Sequence, residues 1–129
     1  MKYAPLALAL FFSAAQAQST TPLDLNTMDQ KVVKDFLGAW EIQNEDGTKK
    51  CRVRLSREET IGGMVIDVAK GCNKNFPAMA DVASWRIYEG WEIVLADATR
   101  KGLIRFYTPD NEYVAEPETD GISTIRKKK

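Results

Sequence analysis

The chain has 129 residues, a length typical of a single domain. Its 18 Lys and Arg residues balance its 18 Asp and Glu residues, so the strongly basic face of a nucleic-acid-binding protein is not expected. The chain has no His and only 2 Cys, which excludes a Ser-His-Asp triad, a Cys-His dyad, His-ligated zinc and four-thiolate metal sites. The paired carboxylates that remain fall in predicted turns or on outward-facing strand positions, and not in a cleft. We therefore predict a protein that is not an enzyme, with no catalytic residues, no metal ligands and no cofactor.

The first 17 residues have the three-part pattern of a secretory signal peptide. A positive start at Lys2 precedes an apolar run over residues 3–12, and the small residues Ala15 and Ala17 follow. The apolar run is about half of the roughly 20 residues that a transmembrane helix needs. The pattern predicts cleavage after Ala17 and a periplasmic or secreted protein, with no membrane contact after cleavage.

Export changes the interpretation of the two cysteines. Cys51 and Cys72 are separated by 20 residues, and there are no others. Two cysteines in an oxidising compartment indicate one structural disulfide, whereas a redox-active pair is more often C-x-x-C.

The remaining chain begins with a polar segment and a short helix. Residues 18–25 carry one Pro and show no clear periodicity, which predicts an exposed N-terminal arm over residues 18–27. Either Asn26 or Thr27 is predicted to cap a helix over residues 28–37, and Gly38 is predicted to end it. The apolar residues on one face of this helix are Met28, Val32 and Phe36.

From Gly38 onward the apolar residues alternate with period 2, which is typical of strands. Close turns separate the strands, so neighbours in sequence should pair antiparallel, and closure into an up-and-down barrel removes exposed edges. The domain over residues 28–129 is therefore predicted as the short helix plus an all-β, eight-stranded barrel, lipocalin-like but small and filled. The predicted strands are residues 38–43, 50–57, 62–68, 82–88, 91–96, 103–108, 113–116 and 122–126, with a loop over residues 69–81. The predicted interior residues are Trp40, Val53, Leu55, Ile66, Trp85, Ile93 and Phe106.

Two further features could contact a partner. Trp91 follows the predicted Glu89-Gly90 turn, so we expect it to be partly exposed and a candidate barrel-face contact. Residues 126–129 form a basic end, which we interpret as a solvated chain terminus rather than a site for an anionic partner.

An ordered set of motifs runs through the predicted barrel. It starts at Leu37-Gly38-Ala39-Trp40, continues through Cys51 in C-x-V-x-L, and ends at the basic terminus. The positions between are Gly63, Cys72, Pro77, Ser84-Trp85-Arg86, Gly90, Phe106 and Tyr113. Over residues 36–129 the sequence resembles the small periplasmic inhibitors of serralysin-type zinc metalloproteases from Gram-negative bacteria.

The resemblance implies a monomeric protease inhibitor with a disulfide-linked barrel. It also implies that an N-terminal arm enters the protease cleft, with its leading amine at the protease's zinc, and that the barrel docks beside it. The arm residues that this assigns to protease binding are Gln18, Ser19, Thr20, Thr21, Pro22 and Leu23. An N-terminal Gln can cyclise and lose its amine, so backbone pairing in the cleft, or a protease of another class, is the alternative. The alternative function is a lipocalin-like carrier of a small ligand, since G-x-W also opens lipocalin barrels.

Overall fold

A computed structural model describes residues 21–129, and the predicted signal peptide lies outside these residues. Eight strands form a closed antiparallel barrel in sequence order, with β8 pairing back onto β1. The predicted fold class is confirmed. The strands are β1 (Gly38–Gln43), β2 (Lys50–Thr60), β3 (Gly63–Val68), β4 (Ser84–Tyr88), β5 (Glu92–Ala96), β6 (Gly102–Tyr107), β7 (Tyr113–Thr119) and β8 (Ile122–Lys127).

Large side chains fill the barrel interior. Alternate residues of each strand point inward, and all seven residues predicted to form the interior are buried. Trp85 and Phe106 are completely inaccessible to solvent. An eight-stranded barrel is just wide enough for such side chains, so the interior is a packed core.

The N-terminal helix is shorter than predicted, and a different face of it is buried. Helix α1 spans Gln30–Phe36, and the side chain of Asp29, not of Asn26 or Thr27, caps it. It begins later because Met28 has an extended conformation at the end of a 3₁₀ turn over Leu25–Thr27. The buried residues of α1 are Val33 and Phe36.

The connection between β3 and β4 is not an irregular loop. It contains helix α2 (Cys72–Asn75) and a 3₁₀ helix (Pro77–Asp81). The predicted disulfide joins Cys72 to Cys51 on β2, with 5.0 Å between their Cα atoms. The Asn75 side chain also donates to the Lys50 carbonyl at 3.0 Å. The disulfide and this bond hold the connection against the first residues of β2.

The basic C-terminus is exposed at Arg126, Lys127 and Lys129, as a solvated chain end should be, but it is also paired into the barrel. Strand β8 extends to Lys127, whose ammonium donates to the carbonyls of Asp35 and Leu37 at 2.6 Å each. Burial lowers the pKa of Lys127, and the nearby charge of Asp35 partly offsets this. The next ammonium, on Lys128, lies 3.7 Å from the buried carboxylate of Glu41. Two of the basic residues therefore contact earlier parts of the chain, Lys127 the end of α1 and Lys128 the carboxylate of Glu41 on β1.

We expect Lys127→Met to lower the free energy of unfolding by about 1 kcal/mol, because the Asp35 and Leu37 carbonyls lose their shared donor. Lys129→Met removes the same charge from an exposed residue, and we expect a change within about 0.5 kcal/mol. Urea unfolding of both variants measures the difference. Equal stabilities would contradict a structural role for the Lys127 ammonium.

Candidate functional site

The candidate site begins where β3 turns away from β4. These strands pair only at Met64–Trp85 and Val65–Ser84. Their close approach requires glycine at residue 63, since a Cβ there would lie 2.5 Å from the Trp85 carbonyl oxygen. Beyond Trp85, this side of β4 has no pairing partner in β3.

The N-terminal segment supplies the missing partner. The Leu23 amide donates to the Ile87 carbonyl at 2.8 Å, and the Glu89 amide donates to the Thr21 carbonyl at 2.9 Å. Between these bonds, Pro22 forms an antiparallel bridge with Tyr88. In an antiparallel pair the intervening residue directs its backbone groups away from the partner, so the missing N–H of proline costs no bond to β4.

The side chains of this segment also join the core, which differs from the predicted exposed arm. Leu25 is only 3% exposed and belongs to the hydrophobic core, and Leu23 packs against it. The alternation of these two leucines is a period-2 signal that the sequence interpretation missed. A short polar segment with one such repeat cannot be distinguished from a loop by its sequence, because its extended conformation depends on pairing with β4. We call residues 21–25 the anchored segment.

A second contact joins the end of β2 to this region. Arg57 donates to Asn26 Oδ1 at 2.9 Å and to Gln30 Oε1. The Gln30 amide in turn donates to the carbonyls of Leu25 and Met28 at 3.0 and 2.8 Å. The anchored segment is therefore held by β4, by the core, and by β2 through Arg57.

The chain enters the anchored segment beside the turn that carries Trp91. Thr21 bonds to Glu89, two residues before Trp91. Trp91 is 44% exposed and, with Ile61, is one of two exposed large hydrophobic residues among residues 21–129. Its backbone φ of 65° lies in the left-handed region, which is rare for a bulky side chain and frequent at functional sites.

An aromatic cluster of Phe36, Trp40, Trp91 and Tyr113 holds this turn in place. The Trp91 ring stacks on Phe36 at a centroid distance of 6.2 Å, and Phe36 stacks on Trp40 at 6.4 Å. The Tyr113 hydroxyl donates to the Trp91 carbonyl at 2.8 Å. Burial raises the pKa of Tyr113 to about 12, so the hydroxyl remains a donor at any physiological pH.

An ion pair and a cation–π contact lie next to the same turn. The carboxylate of Glu92 is buried and lies 3.0 Å from the Arg105 guanidinium. The same guanidinium lies over the Tyr88 ring, 4.8 Å from its centroid. Arg105 thus contacts Tyr88 before the turn and Glu92 after it, so the exposed side chain of Trp91 lies on an ordered turn.

The space beside the anchored segment is an open groove of about 330 Å³. Its walls are polar as well as apolar, with Asp24, Glu59 and Arg86 beside Leu23 and Met64. It lies outside the filled barrel, so it is not the interior cup of a lipocalin-like carrier.

The described residues contain neither a metal-ligand cluster nor a helix able to span a membrane. Residues 21–129 contain no group of three or more Cys, Asp and Glu residues placed to hold a metal ion. The carboxylates of Glu58 and Glu59, and of Glu116 and Glu118, are exposed. None of the described helices is long and apolar enough to cross a membrane.

The structure brings together some of the residues proposed from the sequence. Three of them pair along the end of β4, next to the turn that carries Trp91: Thr21, Pro22 and Leu23. Gln18, Ser19 and Thr20 lie outside the described residues. The contributions of Leu25 and Arg57 were not predicted, because both depend on strands distant in sequence.

We expect Leu25→Ala to lower the free energy of unfolding by about 2–3 kcal/mol, because it leaves a cavity under the anchored segment. Ile61→Ala, at a residue that is 65% exposed, should change it by less than about 0.5 kcal/mol. Denaturant unfolding of both variants tests this. Equal effects would show that Leu25 does not contribute to the core.

Comparison with known proteins agrees with the family suggested by the motifs. The profile of the family described as Protease inhibitor Inh matches residues 30–127, well over half of the chain. The match begins after the anchored segment. No curated protein matches the chain significantly. The chain belongs to the protease inhibitor Inh family.

Proposed function

We propose that this protein is an exported inhibitor that binds proteases through its N-terminal arm and the turn of Trp91, with serralysin-type zinc metalloproteases as the favoured targets. One observation carries the proposal. The anchored segment pairs with the end of β4 and bonds to Glu89, two residues before the exposed and ordered Trp91. The chain that leads back to the arm is thus attached beside an exposed aromatic side chain, which supports a shared contact surface.

The rigidity of this turn supports tight binding. Residues ordered before binding lose less conformational entropy when a complex forms. Tryptophan is enriched among the residues that dominate binding energy, particularly when it is surrounded by well-packed neighbours. The stacking of Trp91 on Phe36 and the bond from Tyr113 supply this order.

The six predicted arm residues divide into two roles in this proposal. Thr21, Pro22 and Leu23 hold the arm to β4, since their backbone already bonds there. Gln18, Ser19 and Thr20 enter the cleft. An uncyclised amine at residue 18 would supply a nitrogen ligand for the open position of the protease's zinc. A cyclised Gln18 would instead leave binding to the backbone of the arm.

The cellular setting follows from the sequence pattern. Signal-peptide removal after Ala17 would release a monomeric inhibitor into the periplasm or medium, where the Cys51–Cys72 disulfide is stable. The protein would act by binding, without catalysis or a cofactor of its own. The alternative of a small-ligand carrier receives no support from the filled interior.

The first test is inhibition by the exported, oxidised protein with its N-terminus determined by mass spectrometry. It is titrated against a serralysin-type metalloprotease, a trypsin-like serine protease and a papain-like cysteine protease. We expect stoichiometric inhibition of the metalloprotease. Deleting residues 18–20 should abolish this inhibition without changing the unfolding midpoint, because the anchored segment is retained. Full inhibition by the deletion variant would refute the arm mechanism.

The contribution of Trp91 is tested separately. We expect Trp91→Ala to raise the inhibition constant at least tenfold, since a central aromatic contact typically contributes more than 1.4 kcal/mol to binding. Ile61→Ala is the matched control, because it truncates the other exposed large hydrophobic residue on a different hairpin. An unchanged inhibition constant for a folded Trp91→Ala variant would exclude this residue from the interface.

A further inference from the structure

We infer that the anchored segment is a fixed reference point that sets how far the preceding chain reaches into the protease cleft. Its residues act as positioning residues and not as the contact residues themselves. This inference rests on the proposed function, but it concerns a separate property, which is whether the arm behaves as a flexible tether or as an element of fixed length.

Three contacts on different parts of the barrel fix the position of the segment. Its backbone bonds to Ile87 of β4 and to Glu89 just after it, and the Leu25 side chain enters the core. The next residue, Asn26, accepts from Arg57 on β2. A displacement of the chain along β4 would break all three together.

The local sequence also excludes a neighbouring register. A slip of one residue in one direction would place Pro22 opposite the Ile87 carbonyl, where proline has no N–H to donate. A slip in either direction would bring Asp24 or Asn26 to the buried position of Leu25, since alternate residues of an extended chain face opposite sides. Burial of an unpaired polar side chain is unfavourable. The segment therefore has one strongly preferred register, with Thr21 at Glu89.

A fixed register makes the length of the preceding arm important. Each added residue extends a chain by up to about 3.5 Å, which is comparable to the distance between a bound group and its partner in a cleft. A flexible tether behaves differently, because even doubling its length changes the closure free energy by an amount equivalent to about threefold in affinity. The two descriptions predict clearly different responses to inserted residues.

The experiment inserts one or two Gly residues between Thr20 and Thr21 in the exported protein. We expect each insertion to raise the inhibition constant against the serralysin-type protease at least tenfold. The matched control inserts the same residues between Glu45 and Asp46, in the β1–β2 turn, and should leave the constant within twofold. A change below threefold for the arm insertions would overturn the inference in favour of a flexible tether.

Loosening the anchor provides a second test. In a variant that carries both Leu25→Ala and Asn26→Ala, insertions before Thr21 should raise the inhibition constant by a smaller factor than in the wild type. The reason is that the anchored segment is no longer held in one position. If that double variant does not fold, Asn26→Ala alone serves, since it removes only the bond from Arg57. An equal insertion penalty in the loosened and wild-type proteins would overturn the inference.

Hydrogen exchange reports on the anchor without any protease. The amides of Leu23 and Glu89 should be protected in the wild type, because each donates across the pairing of the N-terminal segment with the end of β4. Rapid exchange at both amides would overturn the inference. If the wild type inhibits none of the three proteases, the proposed function fails and the inference fails with it. If it inhibits one but tolerates the insertions, only the inference fails.

Discussion

The structure depends on satisfying the backbone groups of β4. A closed barrel pairs every strand on both sides, because unpaired N–H and C=O groups are costly when buried and invite association when exposed. Strand β3 leaves β4 after two paired residues, and the close approach at Gly63 allows even this short pairing. The N-terminal segment completes the edge through Leu23 and Thr21. The placement of the candidate arm is thus a consequence of closing the barrel.

Aromatic packing and the C-terminal strand connect α1 to this end of the barrel. Phe36 of α1 contacts both Trp40 at the start of the barrel and Trp91 in the β4–β5 turn. The Trp40 indole donates to the Phe36 carbonyl at 2.9 Å, and Lys127 donates to the carbonyls of Asp35 and Leu37 on either side of it. The unpaired carbonyls at the end of a helix need such donors. The helix, the turn and the last strand are therefore fixed relative to one another, and the surface proposed to meet a protease is rigid.

Local patterns predicted most of the barrel but not the N-terminal segment. Alternation from Gly38 onward identified all eight strands and an interior that includes Trp85 and Phe106, because period 2 is a strong signal when one face is buried. Leu25 and Arg57 were missed, because their roles come from contacts with strands far along the chain. The bonds from Lys127 to the end of α1 were missed for the same reason, since its carbonyl partners lie about 90 residues earlier in the chain.

The sequence by itself determined the class of the protein: a small, disulfide-linked barrel without histidine, whose motifs resemble protease inhibitors. These properties depend on composition, on short-range periodicity and on the presence of two cysteines, all of which can be recognised without three-dimensional contacts. Only the tertiary structure decided that residues 21–25 are held to the barrel, and that Thr21 bonds to Glu89 in the turn that carries Trp91. Those features depend on which edge of which strand remains unpaired after closure, and this is a property of the assembled sheet and not of any local segment.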